Sequence, residues 1–141
     1  MKQIDAAIAI VARGGKILIC QRKENDTFGG YWEFPGGKRE RGESLHQALA
    51  REMEEELAIK VQPMHAFDPV VHDYKTAIVT LHPFLCHLEA GEPQLIECQA
   101  ANWIDPPQLR DYKFPPANEG LIETIIAHLA ERPIPPADIE S

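Results

Sequence analysis

The sequence predicts an α/β sandwich around a central mixed sheet. Three observations carry this: apolar strand-like stretches in both halves of the chain, one long helix-forming run between them, and a second helical segment near the C-terminal end. Strands, a helix, more strands and a final helix are the pattern of helices packed on a sheet, not of a helical bundle. The 141 residues fit one ordinary domain with its own core. That domain is expected over residues 1–132. The segment 133–141, with three prolines in its first four positions, is expected to be an extended or disordered tail.

Taken in order, residues 3–12 (Gln-Ile-Asp-Ala-Ala-Ile-Ala-Ile-Val-Ala) read as a buried strand. Gly14-Gly15 marks a tight hairpin, with Lys16–Gln21 as the partner strand. Asn25–Gly30 is a loop by composition, and Trp32-Glu33-Phe34 a short strand stopped by Pro35-Gly36-Gly37. Ser44 to Leu57 holds no glycine or proline and is rich in helix formers, so it predicts a helix. Pro63 ends any continuation of it. Strand-like stretches follow at 64–72, 76–88 and 98–104, with a turn at Glu89–Pro93, and a helix from about Asn118 to Ala130 closes the domain.

A hydrophobic fraction of 44% and a charged fraction of 26% are those of a soluble globular protein. No apolar run approaches bilayer length, so no membrane partner is expected. Met1–Asp5 lacks the apolar core and cleavage site of a secretory signal. Three cysteines (Cys20, Cys86, Cys98) without paired ligand spacing read as reduced thiols of a cytoplasmic protein. The six histidines are scattered without the spacing of a zinc site. A net charge of −8 argues against a nucleic-acid polymer, which needs a basic surface. It is compatible with a nucleotide, because metal ions can sit between an acidic pocket and a polyphosphate. No obligate protein partner is evident.

The informative segment is Glu52-Met53-Glu54-Glu55-Glu56. A solvated charged face is the ordinary reading of such a run. At about 100° per residue, however, Leu45, Leu49, Met53 and Leu57 form one apolar stripe, and Glu52, Glu55 and Glu56 fall on its side. Glu54 points away, with Gln47. Like charges so spaced repel, and partial burial sharpens the repulsion. Arg51 supplies only one positive charge against three. Hard divalent cations prefer carboxylate oxygens, and Mg²⁺ commonly bridges a few carboxylates to substrate phosphates. Gly36-Gly37 just ahead of the helix would let the backbone come close to a ligand.

At this point the chain resembles a known family. Gly37, five residues, Glu43, seven residues, Arg51-Glu52-Met53, one residue, Glu55-Glu56, one residue, then Ala58-Ile59 is similar to the Nudix box. The one departure is Ala58, where that family usually has glycine. The resemblance implies a Nudix-type α/β/α sandwich. It implies that Glu52, Glu55 and Glu56, with the carbonyl of Gly36, hold Mg²⁺ or Mn²⁺. It makes Glu52 the candidate for orienting or deprotonating the attacking water. Arg51 would anchor the acidic cluster, and Glu43 would brace the loop against the helix.

Beyond the box, Trp32–Lys38 looks like the box entry of MutT-type enzymes, with Gly37 and Lys38 close to the substrate. Phe114–Glu119 resembles the segment by which those enzymes recognise 8-oxoguanine, which implies that Asn118 pairs with the purine edge. An N-cap of the last helix is the alternative role for Asn118, and the two are compatible. The same resemblance makes Glu97 a further metal carboxylate, Phe34 a wall of the base pocket and Arg22 a residue near the nucleotide. Arg22 can equally be a solvated strand end. The expected activity is cleavage of a nucleoside triphosphate, such as 8-oxo-dGTP, to a monophosphate and pyrophosphate. The alternatives are a (d)CTP or modified-pyrimidine pyrophosphohydrolase, or a non-catalytic module that binds a nucleotide or damaged base.

Overall fold

The computed structural model describes residues 2–133, so the expected tail lies outside the described residues apart from Pro133. In chain order the strands are β1 (Lys2–Arg13), β2 (Lys16–Gln21), β3 (Trp32–Glu33) and β4 (Gly36–Lys38), followed by helix α1 (Leu45–Leu57). Strands β5 (Lys60–Ala66), β6 (Val70–Asp73), β7 (Ala77–Ala90) and β8 (Ala100–Ile104) come next. A 3₁₀ turn at Pro106–Asp111 then leads to helix α2 (Pro116–Glu131).

The strands form one eight-stranded mixed sheet with the central order β3-β2-β1-β7-β5. Strands β1 and β7 run parallel from Lys2 opposite Ala77 to Ala12 opposite His87, and the other pairings are antiparallel. Because β1 is central, both its faces are covered, which explains its unbroken apolar run. Ala7, Ala9 and Val11 pack with Ala48, Leu49, Met53 and Leu57 of α1. Ala6, Ile8 and Ile10 pack with Leu121, Ile122, Ile125 and Leu129 of α2. The sheet therefore sits between two helices, as an α/β/α sandwich. The three cysteines are free and buried. Among the described residues no helix is long and apolar enough to cross a membrane.

Helix α1 begins with a reciprocal cap: Ser44 Oγ accepts from the Gln47 backbone N–H at 3.0 Å, and Gln47 Oε1 accepts from the Ser44 N–H at 2.9 Å. It ends at Ala58, which adopts the left-handed conformation (φ 55°, ψ 42°) that a glycine would take without strain. The hairpin glycines Gly14 and Gly15 both have positive φ, as a two-residue turn of this hand requires.

Several expectations change. Gly36 and Gly37, expected to stop a strand, form β4 against β1, and the strand expected from position 98 begins at Ala100. The stretch 64–72 divides into β5 and β6, and β5 starts at Lys60 with Pro63 inside it. Proline is tolerated there because a register shift between Pro63 and His65 removes the ladder bond it cannot make. The expected turn at Glu89 starts later, since β7 runs to Ala90. Finally, α2 begins at Pro116, so Pro115 is the N-cap and Asn118 lies inside the first turn. A fixed proline φ suits the first helical position, which moves the start ahead of the asparagine.

Ala58 yields a direct test. A left-handed alanine costs about 1–2 kcal/mol, so Ala58→Gly should raise stability by about 1 kcal/mol, seen as a higher urea midpoint with an unchanged m-value.

Candidate active site

Arg51, at the middle of α1, is the hub of the site. Its Nε donates to Glu43 Oε2 at 2.6 Å and its Nη2 to Glu43 Oε1 at 2.9 Å, a two-pronged pair. Nη2 also donates to the backbone carbonyl of Lys38 at 2.9 Å. Nη1 donates to Glu52 at 2.9 Å and to Glu55 at 3.2 Å. One guanidinium thus ties β4 and the loop after it to the helix that follows. The Glu43 carboxylate, held by Arg51 and by the Glu40 backbone N–H, has its pKa lowered to about 2.

Glu52 and Glu56 line the edge of the buried face. The Glu52 side chain is 13% exposed, and Glu56 accepts from the Gly36 backbone N–H at 3.1 Å. A methyl group on Gly37 would displace the Glu52 carboxylate, and one on Gly36 (φ 152°) would collide with the backbone of Ala7 and Ile8, so glycine at Gly36 lets β4 pass so close. The Glu56 carboxyl is pushed up to about 8, first by burial and then by the negative charge of Glu52, to which it is hydrogen-bonded. Glu55 lies further out than the helical wheel suggests, its side chain 56% exposed. Glu54 is exposed, on the opposite side.

Among the described residues no three carboxylate, imidazole or thiol groups already converge on one point. The reason is visible in the pairing: Arg51 occupies oxygens of both Glu52 and Glu55. The donor set nonetheless suits a hard divalent cation. Two acidic side chains that must share a proton at neutral pH are relieved when a cation replaces that proton.

The other expected residues lie on neighbouring elements. Lys38 gives its carbonyl to Arg51, while its side chain helps line an open recess of about 530 Å³ together with Lys2, Arg39 and Arg41. Phe34 is only 2% exposed and stacks on Phe114, ring centroids 5.3 Å apart. It therefore fixes the segment leading to Asn118 from beneath, more than it offers an open wall. Asn118 is half-buried, and its backbone N–H donates to the Pro115 carbonyl at 2.9 Å. Arg22 is no solvated strand end: it donates to Glu33 at 2.7 Å and to the Thr27 carbonyl at 2.7 Å. Glu97 is exposed on the irregular segment before β8 and is not hydrogen-bonded to the α1 glutamates.

With this geometry in place, comparison with known proteins is decisive. The family model described as a NUDIX domain matches residues 6–124. The chain is 38% identical to the CTP pyrophosphohydrolase of Escherichia coli over 133 residues, covering 94% of this chain and 98% of that protein. It is 36% identical to the 8-oxo-dGTP diphosphatase of Haemophilus influenzae over 126 residues, 89% of this chain and 93% of that protein. The solution structure of the Escherichia coli ORF135 protein superposes with a TM-score of 0.82 at 37% identity, covering 94% of both chains. The chain belongs to the Nudix family.

As a Nudix hydrolase it acts on phosphoric anhydrides, in a family that generally depends on divalent metals. One member of the site was not evident from the sequence. Glu33 lies close enough to Glu56 to raise its pKa, and it is the anchor of Arg22. Its partner is 11 residues away in sequence, joined only through the pairing of β2 with β3, so no local pattern marks it.

Glu56 makes the metal fit testable. In the metal-free hydrolase its folded pKa, about 8, lies above the ordinary carboxylate value of 4.5. Between these values the folded state binds the extra proton, so stability falls as pH rises through that window. EDTA-treated protein should lose melting temperature from pH 5 to pH 8. Glu56→Gln should flatten that decline, and added Mg²⁺ should restore more stability at pH 8 than at pH 5.

Proposed function

We propose that this Nudix hydrolase is a Mg²⁺-dependent nucleoside triphosphate pyrophosphohydrolase of the cytoplasm that removes oxidised purine nucleotides such as 8-oxo-dGTP. The observation that carries the reading is the edge of α1, where Arg51 holds Glu52 and the Gly36 N–H holds Glu56 against the backbone of β4. Glu52, Glu55 and Glu56, with the Gly36 carbonyl and Glu97, would hold the metal, and Mn²⁺ is a substitute of the same chemistry. When bound, such an ion supplies charge neutralisation at the phosphates and acidifies water.

The protein's own groups do the rest. Glu52, oriented by Arg51, takes the proton of the attacking water as its oxygen bonds to phosphorus. The bridging P–O bond breaks, and a monophosphate and pyrophosphate leave. Glu43 holds Arg51, so its role is positional. Lys38 and Arg22 face the phosphates and the nucleotide. Asn118 reads the base, because an amide offers a donor and an acceptor side by side. The stacked Phe34–Phe114 pair fixes the backbone on which Asn118 stands.

The similarity to a CTP pyrophosphohydrolase favours a second reading, with the same chemistry on a cytidine nucleotide. A pyrophosphate-release screen of 8-oxo-dGTP, dGTP, CTP and dCTP separates the two. Asn118→Ala should lower kcat/KM for 8-oxo-dGTP by a factor of about ten to a hundred, the worth of one or two hydrogen bonds. It should leave the slow hydrolysis of other triphosphates nearly unchanged. An undiminished purine preference would remove Asn118 from base recognition. Separately, Glu52→Gln should cost on the order of a thousandfold in kcat with folding intact. Turnover that persists in that variant, or in EDTA, would overturn the metal-dependent mechanism, and nucleotide binding without turnover at millimolar Mg²⁺ would leave only a binding module.

A further inference from the structure

Two cysteines that the hydrolysis does not use meet behind the site. Cys20 lies on β2 and is 3% exposed; Cys98 lies just before β8 and is 7% exposed. Both belong to the buried cluster beneath α1. Pairing of β2 with β8 sets Cys20 opposite Ala101 and Gln21 opposite Ala100. A regular ladder would carry Cys98 onward, away from Cys20. The chain instead bends through residues 96–99. Gln99 is pinned at the bend by its backbone N–H to the Gln21 carbonyl at 3.0 Å. Its side chain exchanges two hydrogen bonds with Glu24, at 3.2 and 3.1 Å. The bend turns Cys98 inward beside Cys20, so that both thiols lie in the same buried cluster and interact.

We propose that Cys20 and Cys98 form an oxidisable dithiol that closes to a disulfide and thereby restrains the irregular segment carrying Glu97. The oxidant is a peroxide. The Cys98 sulfur, the more exposed of the two and the one on the irregular segment, attacks a peroxide oxygen. The O–O bond breaks, one oxygen leaves as water and Cys98 becomes a sulfenic acid. The Cys20 sulfur then displaces that hydroxyl, which leaves as a second water with the Cys20 proton. Two thiols and one hydrogen peroxide give one disulfide and two waters. Residues 91–99 have no helix or strand, so peroxide entry and the movement to bonding distance disrupt little more than the bonds of Gln99. Closure shortens the separation of the two sulfurs to a bond of about 2.05 Å. It draws position 98, and Glu97 with it, toward β2. Cys86 is the internal control: it is 0% exposed, and its sulfur donates instead to the Phe84 carbonyl at 3.5 Å.

The effect on turnover rests on the assignment of Glu97 to the metal site, whereas the disulfide itself does not. The full-length protein is treated with a small excess of hydrogen peroxide, then read by intact mass, peptide mapping and pyrophosphate release. The expected result is loss of two hydrogens, a mapped Cys20–Cys98 link and a loss of turnover on the order of tenfold, as for a misplaced active-site group. Dithiothreitol should reverse all three. Cys20→Ser should instead accumulate one oxygen at Cys98, and Cys98→Ser should remain unmodified and active. Absence of the link, or a link through Cys86, overturns the proposal. A mapped link with undiminished turnover overturns the restraint on Glu97. Glu97→Gln is assayed in parallel, so that an inert Glu97 is told apart from an inert disulfide.

Discussion

The Arg51 guanidinium is the contact on which the site depends, because it holds together parts of the chain with no other strong reason to meet. Through Glu43 and the Lys38 carbonyl it fixes the strand and loop before α1 to the middle of that helix. Through Glu52 and Glu55 it partly offsets the repulsion of a glutamate run. A lysine in its place would offer charge without the planar fork, and could not serve Glu43 with two parallel bonds while holding a carbonyl and a second carboxylate. The close passage of Gly37 over Glu52 is possible only with that register fixed.

The compensation is incomplete. Glu56 is not paired with Arg51, is half-buried beside Glu52 and Glu33, and among the described residues accepts from one backbone N–H. Its carboxyl is therefore held in the acid form at neutral pH. A folded protein that leaves such a group under-compensated gives up some stability in its metal-free state, and recovers it when a cation binds. The two hydrophobic layers make this tolerable. Leu49, Met53 and Leu57 lock one side of α1 against the sheet, so the helix keeps its place even though its charged edge is strained.

The division of labour across the sheet follows from β1. Alternate residues of this central strand feed two separate cores, one under α1 and one under α2. Carboxylate chemistry is built on the first side. The aromatic stack of Phe34 and Phe114, which seats the start of α2, belongs to the second. Substitutions around Asn118 can change on one side while the hydrolytic apparatus stays intact on the other. That separation is consistent with similar chains named for CTP and for 8-oxo-dGTP sharing this fold.

Sequence alone determined the sandwich, the extent of α1 and the glutamates of its edge, because each is written in local periodicity: apolar alternation or runs for strands, 3.6-residue spacing for the helix. It also bounded α1 at Ser44 and Leu57 from the lack of glycine and proline between them, within one residue of the observed helix. It misjudged the start of α2, since proline geometry at Pro115-Pro116 outweighed the capping preference of asparagine. It placed Glu55 closer to the buried face than it lies, because a helical wheel gives the direction of a side chain and not what packs over it. Only the tertiary structure decided that Arg22 is tied to Glu33, that Glu56 and not Glu55 is the carboxyl under most stress, and that Cys98 folds back onto Cys20. Those features depend on burial and on partners brought in by strand pairing. Neither burial depth nor long-range register is encoded in any short window of residues.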